Sequence, residues 1–266
     1  MNKLTYKTYE DFENYLKVRK YSKHTIQSYS AVIYNYLEWL TIAPSKAGKN
    51  HIKQYFLSKD FKSNSSQNRY VSALKLYYRK CHNKAINMKE FERPRKDKKL
   101  PRVVDKEVML SRINAIKNLK HKAILQLTFS TTMRVSDIQN LKITDIDSAR
   151  MLIHIKSSKG RKDRFNILTE PTLLLLRTYY KAYRPKSYLF EGEQGGKYSY
   201  SSLSRISNRY LGVNFHGIRH SSATAYHENG MDIRALQFLL GHGSVKTTEI
   251  YTHVSIDKLQ RDHAPI

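Results

Sequence analysis

The sequence predicts a mainly α fold with one small β-hairpin, split between a helical N-terminal domain and a mixed α/β C-terminal domain. Three observations predict it. Apolar side chains recur at helical spacing through most of the 266 residues, and that period gives way to alternation only over residues 151–168. A run with two prolines, Arg93-Pro-Arg-Lys-Asp-Lys-Lys-Leu-Pro-Arg102, interrupts the pattern and carries six cationic side chains. Such a run is extended and self-repelling, which makes 93–102 a basic linker between domains 1–92 and 103–266.

In the first domain, Thr8 with Asp11 reads as a capping box ahead of Phe12, Tyr15, Leu16 and Val18. Ser22 opens the clearest helix, because Ile26, Tyr29, Ile33, Tyr36, Leu37 and Leu40 form one stripe. Asn50 precedes a short helix with Ile52, Tyr55 and Phe56, and Ser66 starts a fourth with Val71, Leu74, Tyr77, Tyr78 and Cys81. Four short amphipathic helices make a compact bundle.

In the second domain, Asp105 caps a helix through Ile116, and another runs from His121 to Ser130. Arg134 then stands at a turn into a helix, with Asp137 one turn later. Met151, Ile153 and Ile155 alternate with Leu152, His154 and Lys156; Phe165, Ile167 and Leu168 form the returning strand, with Gly160 in the turn. Helices follow from Leu173 to before Pro185 and from Ser199 to Leu211, separated by a Gly-Glu-Gln-Gly-Gly-Lys loop. The stretch His216–Val254 reads as short helices punctuated by Gly230 and Gly241, with Asp232 and Ser244 as caps. Ile250 and Val254 share a core face, and Tyr251 lies roughly 100° around from Ile250, which puts its hydroxyl at a rim.

Charge narrows the partners. Lys and Arg number 48 against 22 Asp and Glu, a formal net charge of +26, shared by both domains: residues 1–102 hold 23 basic and 8 acidic side chains. Solubility needs far less charge than this, so a polyanion is the expected partner, and double-stranded DNA is the first candidate. A membrane is not: no stretch approaches the ~18 apolar residues of a span, and no signal-peptide pattern opens the chain. Cys81 is the sole cysteine, which excludes a disulfide framework and a multi-cysteine zinc site. The expected location is cytoplasmic and nucleoid-associated.

Separate weak signals combine in the C-terminal domain. Met133-Arg134-Val-Ser-Asp137, Lys159-Gly160 in a basic hairpin, His216-Gly-Ile-Arg219-His220, Leu240-Gly241-His242 and Ile250-Tyr251-Thr252-His253 stand in one order and spacing. Together they resemble the tyrosine recombinase family, the phage-type integrases that include the Xer recombinases. The likeness covers the whole second domain and extends more loosely to the first, which is similar to that family's core-binding, SAM-like module. Thr132 departs from it, since the family commonly has glycine there. Among the hairpin's cations (Lys156, Lys159, Arg161, Lys162 and Arg164), the resemblance selects Lys159 for catalysis.

The chemistry of a phosphodiester attacked by a phenol calls for the same residue types. The pentacoordinate species carries extra negative charge, which arginine forks and an imidazole N–H stabilise. Arg134, Arg219 and His242 are therefore the expected clamp and Tyr251 the nucleophile, with Asp137 orienting the clamp. The resemblance implies that His216 assists proton transfer from the phenol and that Lys159 protonates the leaving 5′ oxygen. The product is a 3′-phosphotyrosyl link and a free 5′ hydroxyl, made without metal, ATP or other cofactor. A zinc pair at His216 and His220 is disfavoured, because Arg219 would crowd the cation; His220, His227 and His253 read as packing or hydrogen-bonding residues.

The expected activity is site-specific recombination in a synaptic tetramer on DNA, serving a mobile element or dimer resolution, with or without a partner recombinase. The alternatives are a type IB topoisomerase and a catalytically silent DNA-binding relative. Arg93, Arg95, Lys96, Lys98, Lys99, Arg161 and Lys162 are expected DNA contacts, and Ile256 and Leu259 are expected to dock the C-terminal segment on a neighbouring protomer.

Overall fold

The computed structural model describes residues 3–85, 103–156 and 163–252, with side chains from Tyr6 onward. The linker 93–102 with Arg93, Arg95, Lys96, Lys98 and Lys99 lies outside the described residues, as do Lys159, Gly160, Arg161, Lys162, His253, Val254, Ile256 and Leu259. The chain divides into two compact units, Met1–Lys98 and Lys99–Ile266.

Four helices form the described part of the first unit: α1 (Lys3–Val18), α2 (Lys23–Trp39), α3 (Lys49–Leu57) and α4 (Asn64–Cys81). Ser22 caps α2, its Oγ accepting the Thr25 amide at 2.8 Å, and Ile33, Tyr36 and Leu37 are buried along the expected stripe. Three starts differ from expectation. Gly48 precedes α3, and Ser63 caps α4 by accepting the Ser66 amide, so the residue taken for the cap is the one being capped. Thr8 lies inside α1, where its Oγ1 accepts the Tyr77 hydroxyl at 3.0 Å. A box pattern within an uninterrupted helix caps nothing, because its amides are already bonded one turn back.

Aromatic rings fill this core. Tyr36, Tyr55, Tyr77 and Tyr78 are fully buried, and the Tyr36 and Tyr78 hydroxyls hydrogen-bond each other at 2.7 Å. Burial pushes the Tyr36 phenol up to about 12 and the Tyr78 phenol higher still, so both stay neutral donors and acceptors.

In the second unit, α5 (Lys106–Asn114), α6 (Leu119–Thr131) and α7 (Val135–Asn140) precede a sheet of β1 (Ile146–Asp147), β2 (Leu152–Ile155) and β3 (Arg164–Ile167). Then come α8 (Glu170–Tyr183), α9 (Tyr200–Leu211), α10 (Phe215–Glu228) and α11 (Ile233–Leu240). Helix α6 is buried nearly all round from Ala123 to Thr131, Thr128 and Thr131 included, and it packs against α5, α8 and α10. A helix buried all round belongs at the centre. Its C-terminal end is thereby fixed in the middle of the unit, and the chain leaves it straight into Arg134.

The sheet is antiparallel in the order β1-β2-β3, with Ile153 opposite Asn166 and Ile155 opposite Arg164. Two sequence readings fail here. Met151 sits in a left-handed turn (φ 54°) before β2, so alternation begins at Leu152. On β3 the faces are inverted: Arg164 and Asn166 are buried, whereas Phe165 and Ile167 are about half exposed (50% and 52%). The polar pair turns inward because partners wait there, the Asp137 carboxylate for Arg164 and the Thr131 carbonyl for Asn166. Bonded polar groups make a buried polar face tolerable.

Helix α10 starts at Phe215, capped by Asn214, whose Oδ1 accepts the Gly217 amide at 2.9 Å. Asp232 caps α11 through the Arg234 and Ala235 amides, and Gly241 closes that helix at φ 60°. Among the described residues no helix is long and apolar enough to cross a membrane.

Trp39, the sole tryptophan, stacks on Tyr36 and so reports on the first unit. Tyr36→Phe and Tyr78→Phe should each destabilise that unit by ~1–3 kcal/mol, since each strands a buried hydroxyl. The double variant should cost clearly less than the sum of the two, as read by Trp39 fluorescence in guanidinium titrations. Strict additivity would show that the two hydroxyls do not pair.

Candidate active site

A cavity of about 1000 Å³ opens where α10, α11 and β3 meet. Arg134, Arg164, His216, Arg219, His220, His242 and Tyr251 all line it. Their convergence follows from local geometry at three helix ends and from Arg219 within α10.

The first is the C-terminus of α6. Thr132 is buried and left-handed (φ 53°, ψ 20°), a conformation that costs a β-branched residue roughly 1–2 kcal/mol. This turn aims the Thr132 carbonyl at Arg219, whose Nη1 donates to it at 2.6 Å. Here the position at which the sequence departs from the common glycine adopts the glycine conformation all the same.

The second is the start of α7. The Asp137 Oδ2 accepts the backbone N–H of Arg134 at 3.1 Å and the Nη2 of Arg164 at 2.5 Å. Asp137 thus fixes where the Arg134 side chain begins. The Arg134 Nη2 itself donates to the Gly241 carbonyl at 3.1 Å.

The third is the end of α11. Gly241 needs its left-handed φ, and a Cβ there would come within 2.9 Å of the Arg164 Cδ. The bare backbone lets the Arg164 stem pass against it. Arg164, part of the cationic hairpin in the sequence, therefore joins β3, α7 and α11. Its burial could not be read from a hairpin whose other cations looked solvated.

Arg219, on α10, is the central group. Only 3% exposed, it donates from Nη1 to Thr132 and from Nη2 to the Leu240 carbonyl at 2.6 Å, with the His242 Nε2 at 3.1 Å. Burial, and then the neighbouring charge of Arg134, pull its pKa down to about 9, which leaves it cationic at neutral pH. Among the described residues no carboxylate is bonded to this guanidinium.

His242 sits between two partners. A guanidinium can only donate, so Nε2 accepts from Arg219 and the neutral ring carries its proton on Nδ1, which donates to the Thr248 Oγ1 at 3.0 Å. Thr248, fully buried, went unnoticed in the sequence because an isolated threonine carries no pattern.

Tyr251 corrects the expected rim position. It is 1% exposed and packs with Ala223, Leu236, Leu239 and Leu240. The expectation took Ile250 for the core face, but it is Tyr251 that turns toward the α11 leucines. Ile250 is the less buried of the two. The Tyr251 phenol still reaches the cavity wall, and its oxygen lies 2.9 Å from the His220 Nδ1. Burial raises its pKa to about 12 against the lowering pull of Arg219 and Arg134.

His216, exposed, also lines the cavity, and its ring stacks on that of His220 with centroids 6.2 Å apart. Asp163, which follows directly on the undescribed 157–162, lines the cavity and meets the His154 Nε2 at 3.2 Å. Among the described residues no cluster of three or more His, Cys, Asp or Glu could hold a metal ion.

Residues 102–258 match the phage integrase family, and residues 8–88 match the phage integrase N-terminal SAM-like domain. The chain belongs to the phage integrase family: it is a tyrosine recombinase, an enzyme that cleaves and rejoins DNA. Among its relatives, tyrosine recombinase XerA of Thermococcus kodakarensis is 32% identical over 265 residues, covering 95% of this chain and 92% of XerA. A putative integrase/recombinase y4qK of Sinorhizobium fredii is 30% identical over 265 residues, covering 94% and 85%. A crystal structure of XerA recombinase is similar at 28% identity, with a TM-score of 0.57 and coverage of 98% and 99%. The XerH recombinase bound to a palindromic difH substrate in a post-cleavage complex shares the fold at 22% identity, with a TM-score of 0.75 and coverage of 94% and 82%.

The strained turn yields a test. Thr132→Gly should stabilise the second unit by about 0.5–1 kcal/mol, the released strain exceeding the chain entropy that glycine adds. Thr132→Ala removes the hydroxyl, which has no partner among the described residues, but keeps the Cβ and should gain less. Thermal unfolding ranks the variants; alanine melting above glycine would show that the backbone carries no strain.

Proposed function

We propose that the cavity around Arg219 is where a DNA phosphodiester is cut and resealed at a specific recombination site. Tyr251 attacks phosphorus, and Arg134 and Arg219 bind the non-bridging oxygens. His242 joins them once the phosphate draws Arg219 off its Nε2 and that nitrogen takes up a proton from solvent, which makes it an N–H donor. Asp137 acts indirectly, holding the backbone from which Arg134 projects. Lys159 protonates the departing 5′ oxygen, a role that rests on the family resemblance alone.

The observation that carries this reading is the convergence of two guanidiniums, an imidazole and a phenol from separate elements on one cavity, with the phenol neutral and Arg219 cationic at neutral pH. Rigid donors aimed at developing charge are the most effective kind of stabilisation. The phosphotyrosyl link conserves the energy of the phosphodiester, so rejoining needs no external source. The compared relatives are integrases and recombinases, which favours strand exchange over relaxation of supercoils.

For the assembly, we propose a synaptic tetramer on two recombination sites, nucleoid-associated in the cell. The excess of 48 basic over 22 acidic residues supplies the attraction for duplex DNA. Arg93, Arg95, Lys96, Lys98, Lys99, Arg161 and Lys162 provide backbone contacts, which set register without reading sequence.

A nicked suicide duplex, from which the 5′ fragment is lost after cleavage, tests the reading. The wild-type protein should accumulate a covalent protein–DNA product, whereas Tyr251→Phe should bind equally well and form none. Covalent product from the phenylalanine variant would assign the nucleophile elsewhere.

A further inference from the structure

Thr248 is fully buried at the end of the 3₁₀ turn Val245–Thr247, one short turn before Tyr251. Its two oxygens meet different partners. The Oγ1 lies 3.0 Å from the His242 Nδ1, and the main-chain carbonyl accepts the Tyr251 amide at 3.1 Å. The histidine backbone is held separately by Gln237 of α11, whose carbonyl accepts the His242 amide at 3.1 Å and whose Nε2 donates to the His242 carbonyl at 3.0 Å. With that backbone fixed, the ring can still turn about its last side-chain bond, a soft torsion. The Thr248 hydroxyl selects the edge that the ring presents to the cavity.

Resting on the roles proposed for His242 and Tyr251, we propose that Thr248 is a positioning residue for the reaction. Its hydroxyl holds the His242 ring with Nε2 toward the phosphate, and its main chain sets the distance from that ring to the segment carrying the phenol.

Donors and acceptors along the row Arg219, His242, Thr248 decide how this works. The guanidinium only donates, so the Nε2 that faces it at 3.1 Å accepts, and the ring proton sits on Nδ1. A buried Nδ1–H needs an acceptor, and the hydroxyl supplies one. When Nε2 is protonated over a bound phosphate, both ring nitrogens donate. The bond from Nδ1 to Thr248 is the same in either state, so Nε2 changes from acceptor to donor while the ring stays in place.

A methyl group at the position of Oγ1 removes that acceptor. The ring must then leave Nδ1–H facing an apolar group, or carry its proton on Nε2, where it meets the Arg219 N–H donor to donor. Both arrangements cost a hydrogen bond in a buried place, and both displace the imidazole.

Thr248→Val keeps the branched shape and removes the hydroxyl; Thr248→Ser keeps the hydroxyl and removes the methyl. On the nicked suicide duplex at fixed salt, the valine variant should bind as tightly as wild type. Its covalent product should form roughly 10- to 100-fold more slowly in a single turnover, as for a misplaced transition-state donor. The serine variant should recover most of that rate. Thr248→Val combined with His242→Ala should cleave no more slowly than His242→Ala alone, because the hydroxyl acts through the ring.

The ring itself gives a readout that packing would not move. In free protein labelled with nitrogen-15 histidine, the His242 signals are those that vanish in His242→Ala. For the neutral ring they should show Nδ1 protonated and Nε2 bare in wild type and in the serine variant, and lose that pattern in the valine variant. A wild-type rate with valine, a serine variant as slow as valine, losses that multiply in the double variant, or an unchanged ring pattern would each overturn the proposal. Should valine melt well below wild type, Thr248→Ala replaces it and is compared with serine, from which it differs by the hydroxyl alone. Covalent product from Tyr251→Phe, or a wild-type rate from His242→Ala, would instead overturn the assignments on which the proposal rests.

Discussion

The second unit depends on one buried cation. Arg219 holds the carbonyl that ends α6 and the carbonyl that ends α11, and it faces His242 just beyond. A guanidinium has five donors in a fixed fork, so one side chain can tie two helix C-termini together while keeping an edge for an anion. Each carbonyl is an orphan acceptor of its helix and carries the partial negative charge of the dipole. Those partial charges make burial of the cation tolerable. The same bonds thus hold the fold and build the site.

Around that cation the backbone is forced into conformations that side chains resist. Thr132 is left-handed despite its branched Cβ, and Gly241 is left-handed with Arg164 lying against its bare Cα. Arg164 in turn neutralises Asp137, which fixes the first residue of α7. Strain at a functional site persists only where surrounding contacts over-determine it, and here they do. The phenol is held on different terms, buried among leucines with one imidazole at its oxygen.

Most helices and the two-domain plan were legible in the sequence, because helical periodicity and caps are local signals. Ser22, Asp232 and Gly241 all act as their residue types suggested. Arg134, His216, Arg219, His242 and Tyr251 line one cavity, whereas Asp137 bonds the Arg134 backbone and the Arg164 side chain. What escaped were the long-range terms. The inward face of β3 is set by Asp137 and the Thr131 carbonyl, which no alternation rule contains. The orientation of Tyr251 was lost because its packing partners, Leu236, Leu239 and Leu240, come from α11, a contact that local spacing does not contain. His220 is a hydrogen-bonding residue as the sequence suggested, whereas Thr248 stayed hidden because a hydrogen-bond partner is a property of the folded site and leaves no periodic trace.

The central claim is that Arg219 couples the architecture to the chemistry. Hydrogen exchange of free Arg219→Lys tests it most directly, since a lysine keeps the charge but cannot bridge two carbonyls and a ring in the same plane. Amides of residues 240–252 should exchange markedly faster than in wild type, while those in the middle of α6 and α8 keep their protection. Unchanged protection across 240–252 would contradict the account, because the two helix ends would then be held together by something other than this guanidinium.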